Sequence, residues 1–188
     1  MALFVAMEQL SGAVRTNMYY SKGVFVKHLC VFVLVLLNAF SSVSQKKSSS
    51  IPLWTPLEQF DEKRDAAADI KLGIAEAKRS DRRVLLDVGG EWCIWCHRLD
   101  TLFIRNADLS DFLHKNFVVV KVNYSKEYKN EAVLSKYPKI PGYPHLFVLD
   151  AKGKLLHSQD TGELEEGKGH SKEKVLAFLK KWAPGARR

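Results

Sequence analysis

The chain has 188 residues, of which 46% are hydrophobic and 27% charged, a composition that excludes a disordered or fibrous protein. Lysine and arginine number 29 against 21 aspartate and glutamate residues, a formal charge of +8. The two signs are interspersed without a long basic block, so we expect a solvated surface and no nucleic-acid partner. Three cysteines are too few for a disulfide scaffold.

Residues 1–44 have the pattern of an exported protein's leader. Basic residues precede an uninterrupted apolar run over Leu29–Leu37, and small residues then lead to a polar stretch after Ser44. This order is typical of a cleavable signal peptide, and the run is shorter than the about 20 residues of a membrane anchor. We expect cleavage near Ser44, loss of Cys30 with the leader, and Met18 as a possible true start.

The predicted elements begin with a helix and a buried strand. Thr55 and Glu58 have the spacing of a capping box, so a helix is predicted to start there and to end near Ser80. The apolar run over residues 84–88 is typical of a central strand. Asp87 is conspicuous as the one charged residue in that run.

The rest of the chain alternates between helices and strands. The patterns predict a helix after the cysteine pair, a short helix over 109–115, a strand over 117–122, a helix over 127–136, strands over 145–149 and 154–157, and a helix over 172–182 capped by Ser171. This order predicts an α/β fold with a central mixed sheet flanked by helices, parallel at its start and antiparallel at one edge. Residues 58–188 are predicted to form one domain, with 45–57 as a linker.

The chemistry is concentrated in a pair of cysteines. Cys93 and Cys96 are three positions apart at the predicted start of a helix, which places both sulfurs on one side, with Cys93 in the exposed first turn. The helix dipole should lower the pKa of the Cys93 thiol and make it the attacking nucleophile, with Cys96 as the resolving thiol. Asp87, expected among apolar neighbours that raise its pKa, is the candidate proton acceptor and donor.

The same cysteines permit a second interpretation. Cys93, Cys96 and His97 spell the attachment motif of a c-type haem. Such a haem often takes a methionine as its second axial ligand, and the chain's only methionines lie within the predicted leader. There is no four-ligand metal cluster and no nucleotide or flavin motif, so neither a metal nor another cofactor is expected.

Several features in order resemble the thioredoxin superfamily over roughly residues 58–182. Residues 84–93 are similar to the family's central strand, buried aspartate and Trp-Cys entry, and residues 136–147 are similar to its cis-proline loop. The resemblance implies a cis bond between Tyr143 and Pro144, beside the cysteines. It also implies that an extended substrate pairs with the Tyr143 backbone.

This resemblance implies a thiol:disulfide oxidoreductase that acts on protein disulfides and dithiols, with reduction as the favoured direction. Trp92 is then a candidate part of the substrate-binding surface. Ile94 and Trp95 replace the Gly-Pro of thioredoxins proper, and the resulting motif is more similar to secreted bacterial thioredoxin-like proteins.

We therefore expect a secreted or periplasmic monomer of the bacterial cell envelope that receives electrons from a membrane donor. The alternative from a different functional class is a redox-inactive thioredoxin-like module that holds an extended partner along Tyr143 and Pro144.

Overall fold

A computed structural model of the protein describes residues 54–56 and 58–185. The predicted leader over residues 1–44, with Cys30 and Met18, and most of the predicted linker lie outside the described residues. Within the described residues, no helix combines the length and the apolar character needed to cross a membrane.

Helices and strands alternate along most of the described chain. In order they are α1 (Ala66–Ser80), β1 (Arg83–Gly89), α2 (Ile94–Arg105), α3 (Ala107–Asn116), β2 (Phe117–Asn123), α4 (Glu131–Leu134), β3 (His145–Leu149), β4 (Leu155–Asp160), a 3₁₀ turn (Thr161–Leu164), β5 (Glu165–Glu166), β6 (Gly169–His170) and α5 (Lys172–Trp182).

The main sheet has four strands in the order β2-β1-β3-β4. β1 runs parallel to β2 and antiparallel to β3, and β4 is antiparallel to β3 at the edge. The predicted mixed sheet with an antiparallel edge is therefore confirmed. A separate two-stranded hairpin, β5–β6, leads into α5.

β1 is buried on both faces, and its side chains divide between two apolar clusters. Val84, Leu86 and Val88 pack in the cluster that contains α1 residues, whereas Leu85 packs with residues of α2, α3 and α5. Because side chains alternate along a strand, Asp87 points to the same face as Leu85. The topology thus directs the one carboxylate of this strand toward the face covered by α2.

The first helix begins later than its predicted start. Thr55 and Glu58 are exposed and not helical, and α1 starts at Ala66. Asp65 is the actual N-cap, because its carboxylate accepts hydrogen bonds from the N–H groups of Ala67 (2.9 Å) and Ala68 (3.1 Å). The capping-box interpretation was wrong because a better cap lies where the apolar periodicity begins.

Other boundaries also differ from the prediction. The helix predicted over 127–136 is reduced to the single turn of α4, since Asn130 adopts a left-handed conformation with φ of 50° that ends any preceding helix. β4 extends to Asp160 instead of ending at residue 157. Ser171 occupies the N-cap of α5 as predicted, but its side chain makes no capping bond and instead donates to Glu173.

Candidate active site

The two cysteines lie where β1 passes into α2. Cys93 is the N-cap of α2, its sulfur accepts a hydrogen bond from the N–H of Cys96 (3.1 Å), and the two residues form a disulfide. A Cβ at Gly89 would lie only 2.4 Å from the sulfur of Cys96. The strand can therefore pass this close to the disulfide only because residue 89 lacks a side chain.

Both cysteines are buried in this disulfide state. Cys93 is 3% exposed and Cys96 is 2% exposed, and they pack with Phe60, Trp95 and Tyr143. The prediction that Cys93 lies in an exposed turn was therefore wrong. Cys93 is buried because Phe60, from the segment before α1, packs over the cysteine pair.

Phe60 is held at the disulfide by polar contacts as well as packing. Its backbone N–H donates to Oε1 of Glu91 (2.8 Å), a residue that precedes the cysteines. The ammonium of Lys121 lies 4.2 Å from the centroid of the Phe60 ring, in a cation–π arrangement. The segment before α1 is thus anchored to the same group of residues that surrounds the cysteines.

Asp87 is buried as predicted, but its surroundings are not purely apolar. Lys121, its register partner on β2, places Nζ 3.1 Å from Oδ2 of Asp87. The same ammonium contacts both oxygens of Asp100 from α2, at 2.8 and 3.0 Å. The expectation of apolar neighbours was therefore wrong, since one buried ammonium is shared by two carboxylates.

The contacts in this charged cluster shift the pKa values of Lys121 and Asp100. Burial alone would lower the pKa of Lys121, but the charges of Asp87 and Asp100 outweigh it, so the pKa of Lys121 is raised. Burial, together with the charge of Asp87, raises the pKa of Asp100 despite the neighbouring ammonium. Asp100 therefore retains its proton to a higher pH than an isolated aspartate does.

The cluster and the disulfide lie on one face of the sheet. Asp87 and Gly89 are two residues apart in β1 and therefore point to the same side, about 7 Å apart. The sulfur of Cys96 lies directly against Gly89. The buried Cys96 is therefore on the same face of β1 as Asp87.

An aromatic surface adjoins the cysteines. Trp92 is 58% exposed, and its indole N–H donates to the carbonyl of Tyr124 (2.6 Å). Tyr143 packs edge-on against Trp92, with centroids 5.6 Å apart, and stacks on Tyr124 at 4.7 Å. Burial and a hydrogen bond with Tyr124 raise the pKa of the Tyr143 hydroxyl.

Pro144 follows this aromatic group and is buried. The Tyr143–Pro144 peptide bond is cis, in agreement with what the resemblance implied. The hydroxyl of Thr161 donates to the carbonyl of Pro144 and ties the loop to the 3₁₀ turn. The structure thus brings Trp92, Tyr143 and the cysteine pair together, with Pro144 directly after Tyr143.

Four residues that contact the site were not predicted from the sequence: Phe60, Asp100, Lys121 and Tyr124. Only Lys121 carried a usable signal, because it interrupts the apolar strand β2 much as Asp87 interrupts β1. The other three belong to segments whose sequence patterns are ordinary. Their contacts with the site depend on how the segments pack.

The side chain of His97 contacts Glu91. Its Nε2 lies 2.8 Å from the backbone carbonyl of Glu91 and 3.8 Å from the Glu91 carboxylate. Among the described residues, no group of three or more histidine, cysteine, aspartate and glutamate side chains converges as a metal site.

Comparisons with known proteins agree with this fold. A thioredoxin-like family model matches residues 65–151. The protein is 26% identical over 80 residues to the disulfide bond reductase DsbH of Chlamydia pneumoniae. The aligned region covers 38% of this chain and 48% of that protein. The chain therefore spans about half the length of this relative.

A solved structure provides a second comparison. A disulphide isomerase from Xylella fastidiosa Temecula1 matches with a TM-score of 0.56 and 27% identity, over 65% of this chain and 94% of that one. Together with the mixed sheet and the Cys93–Cys96 pair at the start of α2, these matches show that residues 65–151 are thioredoxin-like and that the chain is similar to thiol:disulfide proteins of the thioredoxin superfamily.

Proposed function

We propose that this protein is a thiol:disulfide oxidoreductase that exchanges disulfides with protein substrates through Cys93 and Cys96. The observation that carries the proposal is the disulfide between these two residues at the N-terminus of a helix, on the same sheet face as a buried carboxylate. The alternative role of such a pair is a purely structural disulfide, which would not require the charged cluster around Asp87.

In the reducing direction, the thiolate of Cys93 attacks one sulfur of a substrate disulfide. A bond forms between Cys93 and that sulfur, and the second substrate sulfur leaves as a thiolate that takes up a proton. The N–H of Cys96, which points at the Cys93 sulfur, and the positive end of the α2 dipole stabilise the attacking thiolate.

Cys96 then completes the exchange. It loses its proton, attacks the Cys93 sulfur and releases the substrate as a second thiolate, so that two electrons have passed from the cysteine pair to the substrate. Asp87 is proposed as the group that accepts this proton and returns it in the reverse reaction. Lys121 and Asp100 act as positioning residues, since they set the charge that Asp87 experiences.

The substrate is proposed to lie along Trp92 and the loop at Tyr143 and Pro144. Trp92 offers an exposed aromatic face beside Cys93, and Tyr143 contacts both Trp92 and the cysteine pair. An extended peptide at this position would pair with the Tyr143 backbone. Pro144 lacks an N–H and therefore presents no competing donor.

Reduction is the proposed direction in the cell, and the envelope is the proposed location. The relative from Chlamydia pneumoniae is a disulfide bond reductase by name, and the leader pattern over residues 1–44 supports export. A monomer working in this direction must be reduced again after each turnover. We propose a membrane electron donor for that step.

Single cysteine substitutions test the mechanism. Cys93→Ser should abolish exchange with a disulfide-bonded peptide, because it removes the nucleophile. Cys96→Ser should instead accumulate a mixed disulfide between Cys93 and the peptide, detectable by mass spectrometry. Retention of exchange by Cys93→Ser would contradict the assigned roles.

The direction is tested by equilibrating the cysteine pair with glutathione. A reduction potential of about −270 mV would support a reductase, whereas one of about −120 mV would indicate an oxidase.

The competing proposal of a redox-inactive binding module is favoured by the burial of both sulfurs. It would be supported if the unmodified protein bound the peptide but exchanged no disulfide with it.

A further inference from the structure

A groove lies between α2 and the β5–β6 hairpin and has a volume of about 260 Å³. Arg98 and Arg105 line it from α2, and Lys168 and His170 line it from the hairpin. Because Arg98 and Arg105 are seven residues apart, they lie on the same side of the helix and about 10 Å apart along its axis. The groove therefore presents cationic groups at both ends.

The positive charge of this groove is not neutralised within the part of the chain that the structure describes. None of the described aspartate and glutamate residues lines the groove or lies within ion-pair distance of Arg98, Arg105 or Lys168. By contrast, Arg64 and Arg82 each contact a carboxylate. The uncompensated cations raise the local positive potential, which attracts an anionic ligand.

His170 adds an independent observation on the same groove. Its side chain lines the groove and is only 8% exposed, yet neither ring nitrogen has a hydrogen-bond partner among the described residues. A buried imidazole without a partner is costly, and a bound ligand would supply one. Burial and the nearby Arg98 lower its pKa, so the ring is neutral at pH 7 and has one N–H to donate.

Trp95 connects the groove to the disulfide. Its ring packs against the Cys93–Cys96 pair and meets the ring of His170 edge-on, with centroids 5.7 Å apart. The guanidinium of Arg98 lies 4.3 Å from the centroid of the Trp95 ring. One side chain therefore separates the groove from the reacting sulfurs.

We propose that this groove binds acidic side chains of the protein that exchanges disulfides with Cys93. The inference rests on the proposed function and deepens it, because it names the chemistry of the preferred partner. Side chains two residues apart on an extended peptide lie about 7 Å apart on one face. Two carboxylates at that spacing can approach Arg98 and Arg105 together, whereas one compact oxyanion reaches only one end of the groove.

The test compares two disulfide-bonded peptides that differ only in their flanking residues, glutamate in one and glutamine in the other. The reduced protein should react about tenfold faster with the acidic peptide at low salt, and the preference should fall as salt rises. An equal rate for the two peptides would overturn the proposal.

Charge reversal locates the effect. Arg105→Glu together with Lys168→Glu should abolish the acidic preference, and both side chains are exposed, so folding should be retained. The matched control is Lys71→Glu with Lys115→Glu, which changes the net charge equally at exposed positions outside the groove. The proposal is overturned if the groove variant keeps the preference or if the control loses it.

Two further measurements separate this proposal from the proposed function. The rate of reaction with the glutamine peptide should be the same in all variants. If the unmodified protein did not react with the glutamine peptide at all, the proposed redox activity itself would be refuted. Calorimetry with an acidic peptide whose cysteines are replaced by serine then tests the groove without any redox step, and no binding would overturn the groove assignment. Displacement by inorganic phosphate, but not by sodium chloride of equal ionic strength, would reassign the groove to a free oxyanion.

Discussion

At the residue scale, the site depends on two buried charged residues that interrupt the apolar stretches of β1 and β2. Asp87 and Lys121 are register partners on β1 and β2, and both are less than 10% exposed. A buried charge is tolerated only when it is paired. Asp100 completes the cluster from α2, so Asp87 shares its cation with a second carboxylate, and both partners come from other elements.

Removal of the shared cation should make stability strongly dependent on pH. In Lys121→Met, Asp87 and Asp100 lose the ammonium that they share, and the pKa of Asp100, which burial and the charge of Asp87 already raise, rises further above its unfolded value. Groups with raised folded pKa values retain their stabilising effect at low pH and lose it as pH rises through the folded pKa. We expect a loss of about 3 kcal/mol at pH 8 and a smaller loss at pH 4, measured by urea unfolding.

The double variant Lys121→Met with Asp100→Asn is the matched control for that experiment. With one carboxylate removed, less charge is left uncompensated, and part of the stability at pH 8 should return. An equal loss of stability at pH 4 and pH 8 would show that the packing of the lysine stem matters more than its charge.

At the scale of elements, helix starts are decided by competition between nearby caps. Thr55 and Glu58 match a capping box in sequence, but Asp65 forms the actual cap of α1. The segment between Glu58 and Asp65 is not helical, and its Phe60 packs against the disulfide. α4 is similarly limited by the backbone conformation of Asn130.

Paired substitutions distinguish the two caps. Asp65→Ala removes the acceptor of two backbone N–H groups and should lower the free energy of unfolding by about 1 kcal/mol. Thr55→Ala should change it by less than about 0.5 kcal/mol, because Thr55 is exposed and caps no helix. Thermal or urea unfolding followed by circular dichroism measures both, and the reverse order of effects would contradict the assignment of Asp65.

At the scale of the whole molecule, the segment before α1 closes over a site formed by β1 and α2. Phe60 is 5% exposed and contacts the cysteine pair, and its N–H is bound to Glu91. A thiolate that attacks the Cys93–Cys96 disulfide must approach the S–S bond nearly in line with it. The cover formed by Phe60, Trp95 and Tyr143 therefore has to open for exchange to occur.

Removal of this cover should accelerate reduction of the disulfide. Phe60→Ala removes apolar burial worth about 1.5 kcal/mol or more, which corresponds to about a tenfold higher rate with dithiothreitol if opening limits the reaction. Phe112→Ala is the control, since Phe112 packs on the apolar cluster that contains Leu85 and not on the one that contains the cysteines. Equal rates for Phe60→Ala and the unmodified protein would show that Phe60 does not restrict access.

The sequence alone determined the features that depend on local spacing. The alternation of strands and helices, the position of Cys93 and Cys96 at a helix start, and the burial of Asp87 all follow from patterns within about ten residues. The cis bond at Pro144 came from the resemblance of its loop to a family, since an X-Pro bond taken by itself is expected to be trans.

Only the tertiary structure decided what surrounds those residues. Asp87 and Lys121 are 34 positions apart, and Phe60 and Glu91 are 31 apart, so neither contact leaves a periodic trace in the sequence. The parallel register of β1 and β2 brings the first pair together, and the path of the chain before α1 brings the second. The sequence thus determined which residues are proposed to react, and packing between distant segments decided their charge environment and their burial.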